Sequence, residues 1–258
     1  MKIACMMTVW NEIDIIPYKV AFCKKNNLVP YIIDNYSDDG TWEWLNDNKI
    51  KTHRIDTNGM FLLRPLQNEI VNTLHRMDPK PDWCIYNGCD LFPVAVNNNL
   101  HDELVRIDSN NCNYAKIMNC DLYNTGEDVP DRSGKSLFNN YFYRSRPKPF
   151  VMIHKYSPKL RYQGDRVHIL DDTQRIGDIT GLQINYGNVK TKEERDATLA
   201  RRQKAWENGE HKIHGSHYRV GKEKNWLWDK NTLLDIRESE DFQYVKFLQQ
   251  LDPYEYTG

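Results

Sequence analysis

The chain has 258 residues, of which 40% are hydrophobic, and it can bury the core of one large α/β domain or of two closely joined halves. Its 35 basic and 36 acidic residues give a formal net charge of -1, which argues against a general electrostatic attraction to nucleic acid or anionic lipid and leaves only a local basic patch for such partners. No apolar run reaches the ~20 residues of a membrane-spanning helix, and the six cysteines form no Cys-x-x-Cys pair, so we expect a soluble, cytoplasmic protein with reduced thiols.

The first 122 residues alternate short apolar runs with segments of helical character. Strands are predicted at residues 2–9, 30–34, 51–55, 83–87 and 114–122, with helices at 13–26, 41–48, 65–76 and 97–107. Strands that alternate with helices are typical of parallel βαβ units. The pattern therefore predicts an α/β fold built on a parallel sheet.

Beyond residue 122 the pattern is less regular. Residues 123–148 contain glycines, prolines and many polar side chains, which predicts either loops over a pocket or a disordered connection. Further strands are predicted at 150–154 and 182–186, a long basic helix at 191–208, and one or two helices from 226 onward.

Polar side chains follow the first two predicted strands. Residues 11–16 read Asn-Glu-Ile-Asp-Ile-Ile, and residues 33–41 read Ile-Asp-Asn-Tyr-Ser-Asp-Asp-Gly-Thr. Open α/β sheets bind ligands at the carboxyl ends of their strands. Two polar clusters at successive strand ends therefore predict a nucleotide pocket.

Two further segments follow in order along the chain. Residues 82–92 read Asp-Trp-Cys-Ile-Tyr-Asn-Gly-Cys-Asp-Leu-Phe, and residues 161–168 read Arg-Tyr-Gln-Gly-Asp-Arg-Val-His. Together the four segments resemble those of GT-A glycosyltransferases of the family-2-like kind. The resemblance implies the GT-A fold, which is a Rossmann-like nucleotide-binding sheet with helices on both faces plus an acceptor-side half. It divides the chain into a nucleotide-sugar-binding half at 1–122 and an acceptor-binding half at 123–258, joined in one compact unit.

The resemblance also implies which residues bind the donor. We expect the Asp34 carboxylate to face the ligand outside the core, where it would accept from a ribose hydroxyl or a base N–H, whereas Asp39 could also close a turn. Arg64 and Gln67 are expected to face the donor phosphates from the first turn of a helix, although both could equally be solvated helix residues. The other expected nucleotide-binding residues are Thr8, Asn11, Glu12, Asn87, Gly88 and Cys89.

The expected metal turn departs from the family pattern. Its members usually carry Asp-x-Asp, but here Gly88 replaces the first acidic residue and leaves Asp90 alone. A single carboxylate can hold Mg²⁺ together with substrate phosphates. We therefore expect Mn²⁺ or Mg²⁺ at Asp90, with His168 as the second ligand, and leave strict metal dependence open. The alternatives are an Asp90 that only closes the turn and a structural His168.

The proton acceptor of the reaction is less clearly marked. The family carries an acidic residue after the histidine of its acceptor-side segment, and here that position is Ile169. The base must therefore come from elsewhere, and the candidate catalytic residues are Asp165, His168 and Asp171.

These features predict a metal-assisted, hexosyltransferase-like enzyme that moves a sugar from a nucleotide diphosphate donor, with a UDP-sugar as the expected donor, to an acceptor hydroxyl. The acceptor is open among a glycan, a small molecule, a protein and a nucleic acid. One alternative is transfer to a hydroxylated nucleic-acid base, with the helix at 191–208 and the His-, Lys- and Arg-rich run at 211–224 as a groove for the backbone. Another is an inactive nucleotide-sugar-binding protein, suggested by Gly88 and Ile169.

Overall fold

A computed structural model describes residues 1–60, 62–125, 136–163, 166–169, 173–187, 189, 192–207 and 229–254. The strands are β1 (Ile3–Val9), β2 (Leu28–Asp34), β3 (Lys51–Arg54), β4 (Trp83–Tyr86), β5 (Leu91–Ala95), β6 (Tyr114–Tyr123), β7 (Tyr143–Arg144), β8 (Lys148–Lys155), β9 (Leu160–Gln163), β10 (Arg166–Ile169), β11 (Ile176–Asn185) and β12 (Leu234–Asp235). The α-helices are α1 (Ile16–Lys25), α2 (Thr41–Asp47), α3 (Leu63–Arg76), α4 (Leu100–Ser109), α5 (Ser136–Asn140), α6 (Lys192–Glu207) and α7 (Phe242–Gln249).

The described strands form one large mixed sheet and a separate β9–β10 hairpin. Strands β3, β2, β1 and β4 lie side by side in that order and are parallel. This strand order is that of a Rossmann half-sheet. Beyond β4, the antiparallel strand β8 leads to β6, and β6 pairs in parallel with β11. The last strand of this region, β5, runs antiparallel to β11.

Both faces of the sheet are covered, because alternate residues of each strand point to opposite sides. Cys5 and Met7 of β1 belong to the main core, to which α1, α4 and α7 contribute apolar residues. Ala4 and Met6 belong to a second core beneath α3 and β9. The predicted α/β class with helices on both faces is confirmed.

The predicted strands and helices of the first half are present, with shifted ends. Helix α1 begins at Ile16 rather than at residue 13, and its second residue is Pro17. Helix α4 begins at Leu100, because the Asn99 side chain caps it by accepting the Asp102 N–H at 3.1 Å. The sequence did not predict β5, β7, β9, β10, β12 or α5.

The second half differs more from the prediction. Strand β11 begins at Ile176, six residues before the predicted strand. The segment expected to form one or two terminal helices contains two 3₁₀ turns and the short strand β12 before helix α7, with residues 226–228 outside the described residues. Among the helices that the structure describes, none has the length and apolar composition that crossing a membrane requires.

Candidate functional site at the carboxyl edge of the sheet

The polar segments after β1 and β2 meet at one edge of the sheet. The Asn11 N–H donates to Ser37 Oγ at 2.9 Å, and Asn11 Nδ2 donates to Asp38 Oδ1 at 2.7 Å. In return, Asn11 Oδ1 accepts the Asp38 N–H at 3.0 Å. Asn11 adopts a left-handed backbone conformation (φ 56°), which asparagine tolerates better than most residues. The structure therefore brings the first two segments together, with Asn11 as a connection between them.

Asp39 is a second connection between these loops. Its Oδ1 accepts the Thr41 N–H at 2.9 Å, and its Oδ2 accepts the Ile13 N–H at 3.0 Å. The Thr41 hydroxyl donates to Asp39 Oδ1 and accepts the Glu12 N–H. Both Asp39 oxygens thus hold backbone in place, which supports its role in closing a turn. Glu12 and Thr8 are half-buried at the same edge.

Asp34 lies inside the protein, contrary to the expectation of a carboxylate outside the core. It has no solvent exposure, and its carboxylate accepts the Ser37 N–H at 3.2 Å. Arg54 lies directly opposite Asp34 in the β2–β3 register, and its Nε donates to Asp34 Oδ2 at 2.8 Å. These contacts give Asp34 a structural role at the site, where it orients Arg54 and the loop after β2.

Arg54 in turn contacts two aromatic rings that the sequence prediction missed. Its guanidinium carbon lies 5.0 Å from the centre of the Tyr36 ring and 4.4 Å from that of Trp42. Tyr36 is 54% exposed and has a positive φ of 58°, a strained conformation for an aromatic residue. Tyr36, Trp42 and Arg54 form a cluster suited to stacking on a planar ring. The presence of Tyr36 within the 33–41 segment is the sequence signal that could have indicated it.

The loop between β3 and α3 is attached to the same edge. Asn35 Nδ2 donates to Met60 O at 3.0 Å, and the Thr57 hydroxyl donates to Asn35 Oδ1 at 2.7 Å. From helix α6, Lys204 Nζ donates to Asn58 O at 2.9 Å. The basic helix, which the sequence assigned to the acceptor half, therefore reaches a loop of the half that the sequence assigned to nucleotide binding.

Arg64 and Gln67 differ in their surroundings. Arg64 is exposed in the first turn of α3, where a phosphate could reach it. Gln67 is only 2% exposed and belongs to the buried face of the same helix. This burial favours a packing role for Gln67 over the phosphate-facing role expected for both residues.

The turn between β4 and β5 contains the expected metal residue. Asn87 and Cys89 are buried, whereas Gly88 and Asp90 are half-buried. Asn87 Nδ2 donates to Leu91 O at 3.4 Å, and the buried ammonium of Lys19 donates to the same carbonyl. Asn87 therefore supports the turn from below, and Gly88 and Asp90 are the parts of it that solvent can reach.

Two glycines and the side-chain amide of Asn185 lie around the Asp90 side chain. A Cβ atom on Gly88 or on Gly187 would collide with the Asp90 carboxylate, so both positions leave space that this side chain occupies. The Tyr186 N–H donates to Asp90 O at 2.9 Å, and Asn185 Oδ1 accepts the Gly187 N–H at 2.8 Å. Asp90 and Asn185 thus present oxygen atoms beside Gly187, and the sequence prediction missed Asn185.

These oxygen donors fit a hard divalent cation if a substrate diphosphate supplies further ligands. Within the described residues, no three His, Cys, Asp or Glu side chains are grouped so that they could hold a metal. His168 lies in β10, opposite Arg161 of β9, and its side chain is outside the described part of the structure. Asp165 and Asp171 also lie outside the described residues.

Comparisons with known proteins add little to this geometry. The sequence matches no protein-family model and no curated protein. Among solved structures, the chain is similar to S. aureus TarS 1-349, at 13% identity and a TM-score of 0.40, over 86% of this chain and 76% of that chain. It is also similar to S. aureus TarS 1-349 in complex with UDP, at 15% identity and a TM-score of 0.36, over 69% of this chain and 61% of that chain.

Proposed function

We propose that the chain is a GT-A-like glycosyltransferase that transfers a sugar from a UDP-sugar to an acceptor hydroxyl. The observation that carries the proposal is the arrangement at the carboxyl edge of β1, β2 and β4. There, the Tyr36, Trp42 and Arg54 cluster and the half-buried Asp90 follow different strands of one parallel sheet. A ring-stacking surface and an oxygen site for a cation are the two features that a nucleoside diphosphate requires.

In this proposal, the exposed Tyr36 ring stacks on the nucleobase. Arg54 holds that ring and Trp42 in place, and Asp34 fixes Arg54 from within the core. Thr8, Asn11 and Glu12, at the end of β1, are the proposed polar contacts of the nucleoside. This assigns direct binding to exposed and half-buried groups and an indirect role to Asp34.

Arg64 and Asp90 are the proposed partners of the diphosphate. Arg64 contributes an exposed cation from the first turn of α3. Asp90 and Asn185 would hold Mn²⁺ or Mg²⁺, which supplies charge compensation for the leaving diphosphate when it is bound. Asp165, His168 and Asp171 stay the sequence-based candidates for removing the proton of the acceptor hydroxyl.

Calorimetry with UDP tests the donor site. We expect Tyr36→Ala to weaken UDP binding about tenfold, because losing a base-stacking aromatic ring costs about 1–3 kcal/mol. Tyr36→Phe is the matched control, because it keeps the ring and should retain wild-type affinity. Wild-type protein without UDP affinity, or Tyr36→Ala with unchanged affinity, would contradict the proposed site.

A donor assay then separates an enzyme from an inactive binding protein. Purified protein is incubated with a panel of UDP-sugars, with and without Mn²⁺, and released UDP is measured. We expect slow hydrolysis of one donor in the absence of an acceptor. UDP binding without release of UDP from any donor, with or without candidate acceptors, would favour the binding protein.

A further inference from the structure

The face of the sheet beneath helix α3 has an open cavity at its edge. Among the described strands, β3 pairs with β2 alone and ends the sheet on that side. Helix α3 packs against β1, β2 and β9, so it leaves this edge strand largely uncovered. The resulting β2–β3 cavity has a volume of about 320 Å³, which is the size of a site for one small molecule. Its lining includes Met6, Tyr31, Ile33, Lys51, His53 and Thr73.

The β2–β3 cavity is separate from the cluster that is proposed to stack on the nucleobase. Tyr31 and Ile33 of β2 belong to the core beneath α3. In the β2–β3 register, Lys51 lies opposite Tyr31 and His53 lies opposite Ile33, so all four side chains share this face. Arg54 follows His53 directly and therefore points to the other face.

The cavity has an apolar floor and an open rim. Met6 and Ile33 are buried at the floor. At the rim, Lys51 is exposed, whereas His53 and Thr73 are half-buried. A small molecule can therefore enter from solvent and cover apolar surface at the floor, which favours binding.

Lys51 contributes a positive charge to the rim. Its ammonium donates to the Tyr31 hydroxyl at 3.1 Å and lies 5.0 Å from the centre of the Tyr31 ring. None of the ion pairs between described residues includes Lys51. An ammonium can only donate hydrogen bonds, so the Tyr31 hydroxyl accepts here and keeps its own hydrogen for another partner. Both side chains can therefore donate to a ligand.

His53 adds a buried nitrogen that lacks a hydrogen bond. Its Nε2 lies 3.1 Å from Glu69 Oε1, but the direction of this contact does not make it a hydrogen bond, and no other described residue supplies one. Beside a carboxylate, which only accepts, the Nε2 atom carries the hydrogen. The charge of Glu69 is balanced by Arg76. The described polar groups of the cavity are therefore mainly donors, and its unbalanced charge is positive.

We propose that the β2–β3 cavity binds a small carboxylate with an apolar body, such as an aromatic or a short aliphatic acid. The carboxylate accepts from Lys51 and Tyr31 at the rim, and the apolar body covers Met6 and Ile33 at the floor. A charged acceptor forms stronger hydrogen bonds with these donors than a neutral one. This site goes beyond the proposed function, because none of its residues is assigned to the donor or to the cation.

Saturation-transfer NMR on the wild-type protein gives the first test. The probes are benzoate and hexanoate. Benzylamine has an aromatic ring with the opposite charge, and inorganic phosphate has negative charge without an apolar body. We expect at least one carboxylate to bind, benzylamine not to bind, and phosphate not to displace the carboxylate. Binding by neither carboxylate, equal binding by benzylamine, or displacement by phosphate would overturn the proposal.

The second test removes the charge. Lys51→Met keeps an apolar side chain and loses the ammonium, and we expect it to weaken carboxylate binding about tenfold. Lys246→Met is the matched control, because it makes the same change at an exposed position of α7, which packs against the main core on the other face of the sheet. Unchanged affinity in Lys51→Met, or the same loss in both variants, would contradict the proposed role of Lys51.

The third test fills the cavity. Thr73→Phe places a ring at the rim and should abolish carboxylate binding, whereas Thr73→Ser keeps the space and should bind as the wild type does. Retained binding by Thr73→Phe would place the carboxylate elsewhere and overturn the proposal. If Thr73→Phe is unstable by thermal melting, Lys51→Met still decides, because Lys51 is exposed. No probe contains a nucleotide, so a protein that binds the carboxylate but no UDP would retain this site and lose the proposed function.

Discussion

At the end of β2, the guanidinium of Arg54 pairs with the carboxylate of Asp34, which solvent does not reach. The side chain of Asp34 is 0% exposed and that of Arg54 is 25% exposed, so the two partners differ in what happens when the other is lost. An unpaired Arg54 can turn toward water, whereas an unpaired Asp34 stays buried with its charge. Removing Arg54 should therefore destabilise the fold more than removing the charge of Asp34.

We therefore predict that Arg54→Met lowers the free energy of unfolding by about 3 kcal/mol, because it leaves a buried charge without its partner. Asp34→Asn should cost only about 1 kcal/mol, because Arg54 is partly exposed and keeps the Ser37 carbonyl as an acceptor. Urea unfolding of both variants measures the difference. Equal losses would contradict the unequal roles that burial gives to the two partners.

The sequence places Asp34 at the end of a strand, but it does not identify the residue that pairs with its carboxylate. The segment at 33–41 marks Asp34 as the end of a strand, and nothing in it identifies an arginine on the neighbouring strand twenty residues later. Only the β2–β3 register places Arg54 opposite Asp34. The sequence therefore places Asp34 at the edge of the sheet, whereas its burial and its pairing with Arg54 are seen only in the structure.

Among the elements, β5 and β11 approach each other more closely than side chains usually allow. Gly181 lies opposite Ala95, and a Cβ atom at this position would collide with the carbonyl oxygen of Val94. A backbone atom held in a strand cannot move aside easily. Four residues earlier, a Cβ atom on Gly177 would instead come within 2.7 Å of a side-chain atom of Ile107 in helix α4, and not of strand backbone.

We predict that Gly181→Ala destabilises the fold by about 2 kcal/mol or more, because the β5–β11 backbones must separate. Gly177→Ala is the comparison, and it should cost less, because its contact is longer (2.7 Å against 2.2 Å) and involves a helix side chain and not paired strand backbone. Thermal and urea unfolding of the two variants give the order. A larger loss for Gly177→Ala would contradict the close approach of these two strands.

The predictability of the elements follows from how each is buried. Strands β1, β2 and β4 lie within the parallel part of the sheet and have continuous apolar runs, which the sequence shows directly. Strand β5 is five residues long and contains Pro93, so its sequence does not indicate a strand. Asn185 went unassigned for a related reason: its place beside Asp90 depends on the pairing of β11 with β5 and β6.

For the molecule as a whole, His154 makes stability depend on pH. It is fully buried in β8, where its Nε2 lies 2.8 Å from the Tyr162 hydroxyl. Burial lowers the pKa of His154 to about 4, compared with about 6.5 in an unfolded chain. Between these values the unfolded chain binds the additional proton. The free energy of unfolding is therefore unaffected by His154 above about pH 6.5, and it decreases as the pH falls from there toward 4.

We predict that this group lowers the free energy of unfolding by about 1 kcal/mol between about pH 6.5 and pH 5.5. His154→Gln should be less stable at neutral pH but should lose that part of the pH dependence. His75, whose pKa is also lowered by burial, stays in both proteins, so the difference in slope isolates His154. Parallel slopes for the two proteins would contradict a neutral, buried His154.

The position of β11 in the chain also has a consequence for the order of folding. The Asn11 to Asp39 connections use only residues from the first two strands and their loops, so they can form early in synthesis. The surroundings of Asp90 need β11, which comes more than fifty residues after β6 and pairs with both β5 and β6. Such long-range pairing is slow, because a large loop must close first. A growing chain would thus form the connections from Asn11 to Asp39 first, and the surroundings of Asp90 would be complete only after residue 187 has been made.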